Sequence, residues 1–117
     1  MTLDVVLIED NITIRNLMDE YLESYHVNHK VTGDTKYALT LKADLYLIDY
    51  NLGEGEMNGD EVSKALKDLY PDALRISFSS DYEVYQNNTG LYDGKLNKPF
   101  QRFELDTLIE FAKSINE

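Results

Sequence analysis

The residues of this sequence that could take part in chemistry follow short apolar runs. Glu9 and Asp10 follow the first run, Asp49 and Ser79 follow two later ones, and Lys98 follows the last. Carboxylates that lie close together repel one another, which raises the pKa of at least one of them unless a cation lies among them. Oxygen ligands without nearby His or Cys favour Mg²⁺ over zinc. These residue types therefore indicate a magnesium site, provided that the fold brings them together.

The hydroxyl of Ser79 and the ammonium group of Lys98 could bind a phosphoryl group. A hydroxyl can donate a hydrogen bond to a phosphoryl oxygen, and an ammonium group can pair with its charge. A carboxylate beside Mg²⁺ can also act as a nucleophile and form an aspartyl phosphate. The residues alone thus point to Mg²⁺-dependent phosphoryl transfer onto Asp49.

The apolar pattern predicts five strands that alternate with helices. The strands are expected at residues 3–8, 27–31, 44–48, 73–78 and 94–97, runs too short for helices and mostly rich in Val, Ile, Leu or Phe. Asn11 predicts the N-cap of a first helix and Asp34 that of a short second one. A third helix is expected over residues 59–69 and a last one from about Gln101, whereas residues 81–93 give no clear element. Such alternation implies a parallel sheet covered by helices, with ligands at the carboxyl ends of its strands.

Helical spacing also predicts which side chains the helices bury. The expected buried faces include Leu17 in the first helix, Leu69 in the third and Ile115 in the last. The two histidines, His26 and His29, are expected at the surface because no acidic motif surrounds them.

Composition limits the classes of function. The chain has 117 residues, a formal net charge of −11 and 43% hydrophobic residues, which fits one globular domain. The acidic excess opposes direct binding to nucleic acid or to an anionic membrane. The chain has no cysteine, so disulfides and thiolate chemistry are excluded, and a cytoplasmic location is expected. No apolar run is long enough for a membrane-spanning helix, and the N-terminus does not resemble a signal peptide.

Four motifs together resemble the receiver domain of two-component response regulators, and the resemblance covers essentially the whole chain. They are residues 6–10 (VLIED), residues 45–49 (LYLID) with Gly59 after them, residues 76–80 (ISFSS) and residues 98–100 (KPF). Each motif is weak alone, but their order and their positions after predicted strands are specific.

This resemblance implies a fold. It is an α/β, flavodoxin-like, doubly wound sheet of five parallel strands in the order 2-1-3-4-5, with flanking helices. One receiver domain would span residues 1–117, with a fourth helix that is short or irregular. A cis peptide bond is expected between Lys98 and Pro99.

The resemblance also implies a role for each site residue. Asp49 would accept a phosphoryl group from a sensor histidine kinase or a histidine phosphotransfer protein. Glu9, Asp10 and Asp49 would hold Mg²⁺ together with the backbone carbonyl of Asn51. Ser79 and Lys98 would contact the phosphoryl group.

Several positions depart from the usual family pattern. The loop over residues 51–59 is longer than usual, and its Glu54 and Glu56 are expected to be solvated. Lys95 stands where the family usually has an aromatic residue that couples to the hydroxyl residue. We expect either that Tyr82, Tyr85 or Tyr92 substitutes for this aromatic residue or that residues 80–94 rearrange. Asn51 and Asp81 occupy positions that modulate water access, and their types predict an acyl phosphate lifetime of minutes or less.

Other functions remain open on the sequence alone. A pseudo-receiver would be a phosphorylation-independent protein interaction module with a vestigial site. A phosphatase with an aspartate nucleophile would usually need a second Asp where this chain has Asn51. A mononucleotide-binding flavodoxin-like protein would need a phosphate-cradling loop where Glu9 and Asp10 stand.

The expected partners are proteins. They are a kinase or phosphotransfer protein and a downstream target or output domain, and Phe103 and Phe111 of the last helix could also form a homodimer face. The receiver would catalyse only its own phosphorylation and dephosphorylation, without a separate substrate. No output domain follows Glu117, so we expect either a single-domain regulator or an excised receiver.

Overall fold

The chain forms a five-stranded parallel sheet in the order β2-β1-β3-β4-β5. A computed structural model describes residues 2–80 and 89–116, to which all structural statements refer. The strands are β1 (Asp4–Ile8), β2 (Asn28–Thr32), β3 (Leu45–Ile48), β4 (Leu74–Ser79) and β5 (Gly94–Asn97). The predicted fold class and strand order are confirmed, and each strand lies within one residue of its predicted bounds.

The described part of the chain contains four α-helices: α1 (Ile12–Glu23), α2 (Thr35–Leu39), α3 (Gly59–Leu69) and α4 (Arg102–Ile115), the last of which follows β5. Asn11 caps α1 as predicted, because its side chain accepts hydrogen bonds from the backbone N–H groups of Thr13 and Ile14. Asp34 caps α2 through the N–H of Tyr37. A short 3₁₀ helix at Thr89–Leu91 precedes β5, and the rest of the segment expected to hold a fourth helix lies outside the described residues.

Two apolar layers cover the two faces of the sheet. One layer contains Met18 and Leu22 of α1 and Leu105 and Ile109 of α4, packed on β1, β3, β4 and β5. The other layer contains residues of α2 and α3 and reaches β1 and β3 through Ile8 and other side chains. Because both faces are covered, the central strands are buried throughout, which explains their continuous apolar character.

Some predicted burial patterns are wrong at the helix surfaces. Leu17, Leu69 and Ile115 are at least 42% exposed, since each helix contacts the sheet through a narrower face than the apolar spacing suggested. His29 is also not a surface residue: its side chain is only 10% exposed, and its Nε2 lies 2.7 Å from Asp19 Oδ1 of α1. His26 is exposed, as predicted.

Exposed aromatic residues lie on α4, where they were expected. Phe103 and Phe111 are 63% and 52% exposed. Among the described residues, no helix is long and apolar enough to cross a membrane.

Gly59, the first residue of α3, packs directly against the backbone that follows β3. Its N–H donates a hydrogen bond to the carbonyl of Tyr50 at 2.7 Å. A Cβ atom at this position would lie 2.5 Å from the carbonyl oxygen of Asp49 and 2.7 Å from the Cα of Tyr50. Only glycine allows this approach, so Gly59 fixes α3 against the end of β3.

We expect Gly59→Ala to lower the free energy of unfolding by about 1–3 kcal/mol, because α3 or the backbone at Asp49 must shift to admit the methyl group. Urea unfolding monitored by circular dichroism measures this change. Gly90→Ala is the matched control, since a Cβ there meets nothing within 4 Å. Equal stability of the two variants would contradict the close packing of α3.

Candidate functional site

The predicted site residues meet at the carboxyl edge of the sheet. Glu9 and Asp10 follow β1, Asp49 follows β3, Ser79 ends β4, and Lys98 follows β5. One carboxylate oxygen from each of the three acidic residues lies within 4.8 Å of the others. Glu9 is 1% exposed and Asp49 is 5% exposed, whereas Asp10 is open to solvent. The fold therefore places two buried carboxylates and one exposed carboxylate in a single cluster.

Lys98 is the cation of this cluster. Its Nζ lies 2.7 Å from Glu9 Oε1 and 3.2 Å from Asp49 Oδ1, and its side chain is 18% exposed. The peptide bond between Lys98 and Pro99 is cis, as the family resemblance implied. A single ammonium group thus bridges both buried carboxylates.

The two buried carboxylates have opposite pKa shifts. Burial first and the neighbouring Glu9 second raise the pKa of Asp49 to about 7, although Lys98 lowers it in part. Burial would also raise the pKa of Glu9, but hydrogen bonds with Lys98, Asp49 and the N–H of Asn11 lower it below its usual value. The pair therefore behaves as an ionised Glu9 beside an Asp49 that holds its proton to near-neutral pH.

The cluster lines an open cavity of about 420 Å³. Six predicted site residues line it, including Asn51, and the other lining residues are Asn11, Ile14, Tyr50 and Ser80. Ser79 lines this cavity and is 8% exposed. The cavity is large enough for a hydrated cation and a phosphoryl group.

The donor set fits a magnesium ion. Three carboxylates supply hard oxygen ligands. Burial first and repulsion by Glu9 second raise the pKa of Asp49, and a cation would relieve that repulsion. Glu9, Asp10, Asp49 and the carbonyl of Asn51 are the groups that would hold it. No His or Cys lies among the residues that line this cavity.

Arg15 supports the site, although the sequence pattern did not single it out. Its Nη1 donates hydrogen bonds to the carbonyl oxygens of Glu9 at 2.8 Å and Asp10 at 3.0 Å. A Cβ on Gly33 would lie 2.7 Å from this guanidinium. Arg15 thus holds the backbone of both acidic residues, and its spacing of one helical turn after Asn11 is the signal that could have indicated it.

Glu56 is exposed, as expected, but its side chain also makes a contact that the sequence did not indicate. Its Oε1 accepts a hydrogen bond from the backbone N–H of Thr35 at 2.8 Å and lies 3.2 Å from the Thr35 hydroxyl. Glu54 is exposed, as expected. The longer loop is therefore tied to the start of α2.

The structure describes one of the three tyrosines that were expected to replace the usual aromatic residue. Tyr92 is 6% exposed, and its hydroxyl donates a hydrogen bond to Asp60 of α3 at 2.9 Å. Burial and Asp60 raise its pKa. Lys95 is exposed on β5, outside the group of residues that line the cavity. Tyr82, Tyr85 and Asp81 lie outside the described residues.

A buried arginine holds the segment around Tyr92. Arg75 of β4 is 5% exposed, and its Nη1 donates hydrogen bonds to the Ser63 hydroxyl of α3 and to the carbonyl of Leu91. The Ser63 hydroxyl also donates to the Leu91 carbonyl. Sequence reasoning missed this network because a single Arg inside an apolar strand gives no indication of its partners.

No family model matches the sequence. A putative NtrX-like response regulator from Rickettsia bellii is 28% identical over 123 residues. The match covers 98% of this chain but only 26% of that protein, so the chain spans about a quarter of its relative's length.

Solved receiver domains have the same fold. The Vibrio cholerae chemotaxis protein CheY4 matches with a TM-score of 0.84 at 21% identity, covering 96% of this chain and 99% of the other. The receiver domain of NtrX from Brucella abortus matches with a TM-score of 0.85 at 20% identity, covering 93% and 97%. The BeF₃-activated DrrB receiver domain matches with a TM-score of 0.86 at 18% identity, covering 97% and 99%. The predicted resemblance to response regulator receivers is thereby confirmed.

The pKa of Asp49 predicts how the metal-free protein responds to pH. The pKa of Asp49 is raised from 3.8 in the unfolded chain to about 7 in the folded state. The favourable contribution of protonated Asp49 is therefore complete below about pH 4 and is lost as the pH rises to about 7. We expect Asp49→Asn to raise the free energy of unfolding by about 2 kcal/mol at about pH 8, with the gain shrinking as the pH falls to about 5.

Urea unfolding in the presence of a chelator measures this difference at both pH values. Glu54→Gln is the control, because it removes an exposed charge from the neighbouring loop. A gain from Asp49→Asn that does not depend on pH would contradict the raised pKa.

Proposed function

We propose that this chain, which has the fold of a response regulator receiver domain, is the phosphoacceptor of a histidine-to-aspartate phosphorelay. The observation that carries the proposal is the environment of Asp49. This buried carboxylate has a raised pKa, lies in a three-carboxylate cluster and is 3.2 Å from the ammonium group of Lys98. A carboxylate that only ended a strand would not need such neighbours.

In the proposed reaction, a carboxylate oxygen of Asp49 attacks the phosphorus atom of a phosphohistidine. A phosphorus–oxygen bond forms at Asp49 while the phosphorus–nitrogen bond breaks, and the protonated ring leaves as neutral imidazole. Asp49 must be ionised for this attack. Its proton, held to about pH 7 in the metal-free protein, therefore has to leave first.

Ser79 and Lys98 would stabilise the transferred group. Lys98 bridges Glu9 and Asp49 before transfer, and it would turn to the phosphoryl oxygens as their negative charge enters the cavity. The Ser79 hydroxyl, on the neighbouring strand, would donate a hydrogen bond to the same group. When bound, Mg²⁺ would supply positive charge that offsets repulsion between the carboxylates and the incoming phosphoryl group.

The partners in this proposal are a sensor histidine kinase or a histidine phosphotransfer protein, and a downstream protein target or output domain. A second copy of this chain is a further candidate, with the exposed Phe103 and Phe111 on the contact face. The net charge of −11 opposes direct contact with nucleic acid or membrane lipid. We propose a cytoplasmic location, where such kinases present their phosphohistidine, and no substrate besides the phosphodonor.

Incubation with acetyl phosphate and Mg²⁺ tests the proposal. We expect intact-protein mass spectrometry to show one added phosphoryl group in the wild-type chain and none in Asp49→Asn, which lacks the nucleophile. Chelation of the metal should also abolish the addition. Asp60→Asn serves as the control, because it removes a carboxylate from α3 that lies outside the cluster.

The same assay separates the proposed phosphoacceptor from the pseudo-receiver. If the wild-type chain gains no phosphoryl group while it remains folded and binds a partner protein, it is a pseudo-receiver that acts as an interaction module. Phosphorylation at a residue other than Asp49 would contradict both functions.

The lifetime of the phosphorylated form gives a further prediction. Asn51 and Asp49 line the same cavity, and a small amide at position 51 would hinder the approach of water to Asp49 less than a long side chain. We expect a half-life of minutes or less, and we expect Asn51→Arg to lengthen it several-fold by blocking water. Loss of the added mass with time measures both values, and a wild-type half-life of many hours would contradict the prediction.

A further inference from the structure

We propose that Glu56 is a positioning residue for the magnesium site, because it anchors the loop between β3 and α3 to the start of α2. This inference rests on the proposed metal-dependent phosphorylation of Asp49. It goes further by assigning a task to the acidic extension of that loop.

The anchor consists of two contacts to one residue. Glu56 Oε1 accepts the backbone N–H of Thr35 at 2.8 Å and lies 3.2 Å from the Thr35 hydroxyl. Thr35 is the first residue of α2 and is 2% exposed. The first N–H groups of a helix have no partner within the helix, so Glu56 satisfies a donor that would otherwise be buried without one.

The backbone of the loop is shaped to make this contact. Gly53 and Gly55 have φ angles of 98° and 83°, which other residues rarely adopt. The N–H of Glu56 donates to the carbonyl of Gly53 at 3.3 Å and closes a turn. The turn directs the Oε1 atom of the exposed Glu56 side chain to the start of α2.

The anchored loop lies beside the cluster of carboxylates. A Cβ atom added to Gly53 would lie 3.8 Å from Asp10 Oδ2. The preceding Leu52 is 3% exposed and packs in the layer of α2 and α3. Asn51, whose carbonyl is a proposed ligand, stands just before Leu52 and lines the site cavity. With Gly59 fixed at one end and Glu56 tied down within it, the loop has few ways to move this carbonyl away.

The negative charge of Glu56 is a second reason why its contact with Thr35 matters for the site. Glu56 and Asp10 line the same open cleft, so an ionised Glu56 adds negative charge near a site that is already acidic. Without these contacts the Glu56 carboxylate could approach the carboxylates of the site and repel them. The two hydrogen bonds from Thr35 keep the carboxylate at the start of α2. Glu54, on the same loop, is exposed and provides a matched control.

The test compares Glu56→Ala with Glu54→Ala and with the conservative Glu56→Gln. Isothermal titration with Mg²⁺ measures the dissociation constant of each folded variant. We expect Glu56→Ala to raise this constant about five-fold, and the other two to stay within about two-fold of wild type. Gln retains an oxygen that can accept the Thr35 N–H, so it should restore most of the affinity.

Two further measurements separate positioning from other effects. Amide hydrogen exchange at Thr35 should accelerate in Glu56→Ala and not in Glu54→Ala. Phosphorylation by acetyl phosphate should slow in Glu56→Ala at low Mg²⁺ and recover to the wild-type rate at saturating Mg²⁺, because only the population of the metal-bound form is changed.

Unchanged Mg²⁺ affinity in Glu56→Ala, or an equal loss in both alanine variants, would overturn this inference and leave the proposed function intact. Absence of Mg²⁺ binding by the wild-type chain would overturn the proposed function, and this inference with it. The two failures are distinct, since the first appears only in the variants and the second in the wild-type protein.

Discussion

The burial of two carboxylates at the ends of adjacent strands is the constraint on which this structure depends. β1 and β3 are neighbours in the sheet, so Glu9 and Asp49 are placed side by side and mostly out of water. Such a pair cannot carry two charges without a counterion. Lys98, which follows β5, provides this counterion. Because β4 lies between β3 and β5, only a long side chain can reach from the end of β5 to the two carboxylates.

The apolar layers determine how strongly the site is desolvated. Ile8 and Ile48 precede the two carboxylates and are fully buried in the layer of α2 and α3. That layer continues to the sheet edge because α3 begins at Gly59, which packs on the backbone of Asp49 itself. The packing that forms the core therefore also sets the pKa of Asp49, and a looser α3 would admit water to the cluster.

Most of the fold and the inner site could be predicted from the sequence, for physical reasons. A parallel sheet brings strand ends to one edge, so short apolar runs followed by Glu9, Asp49, Ser79 and Lys98 were enough to predict the cluster. The contacts of Glu56 and Arg75 could not be predicted, because each joins residues through side-chain orientations that no spacing rule describes. Leu17 and Leu69 were placed inside because periodicity indicates a face but not its width.

The position of Lys95 on an edge strand of the sheet has a consequence for contacts with other molecules. It is exposed on β5, which is an edge strand of the sheet that the described residues form and pairs there with β4. An edge strand can add a strand from another molecule, and a charged lysine there discourages such pairing. The residue that breaks the usual aromatic pattern thus places a positive charge on the sheet edge, where it disfavours the addition of a strand from another molecule.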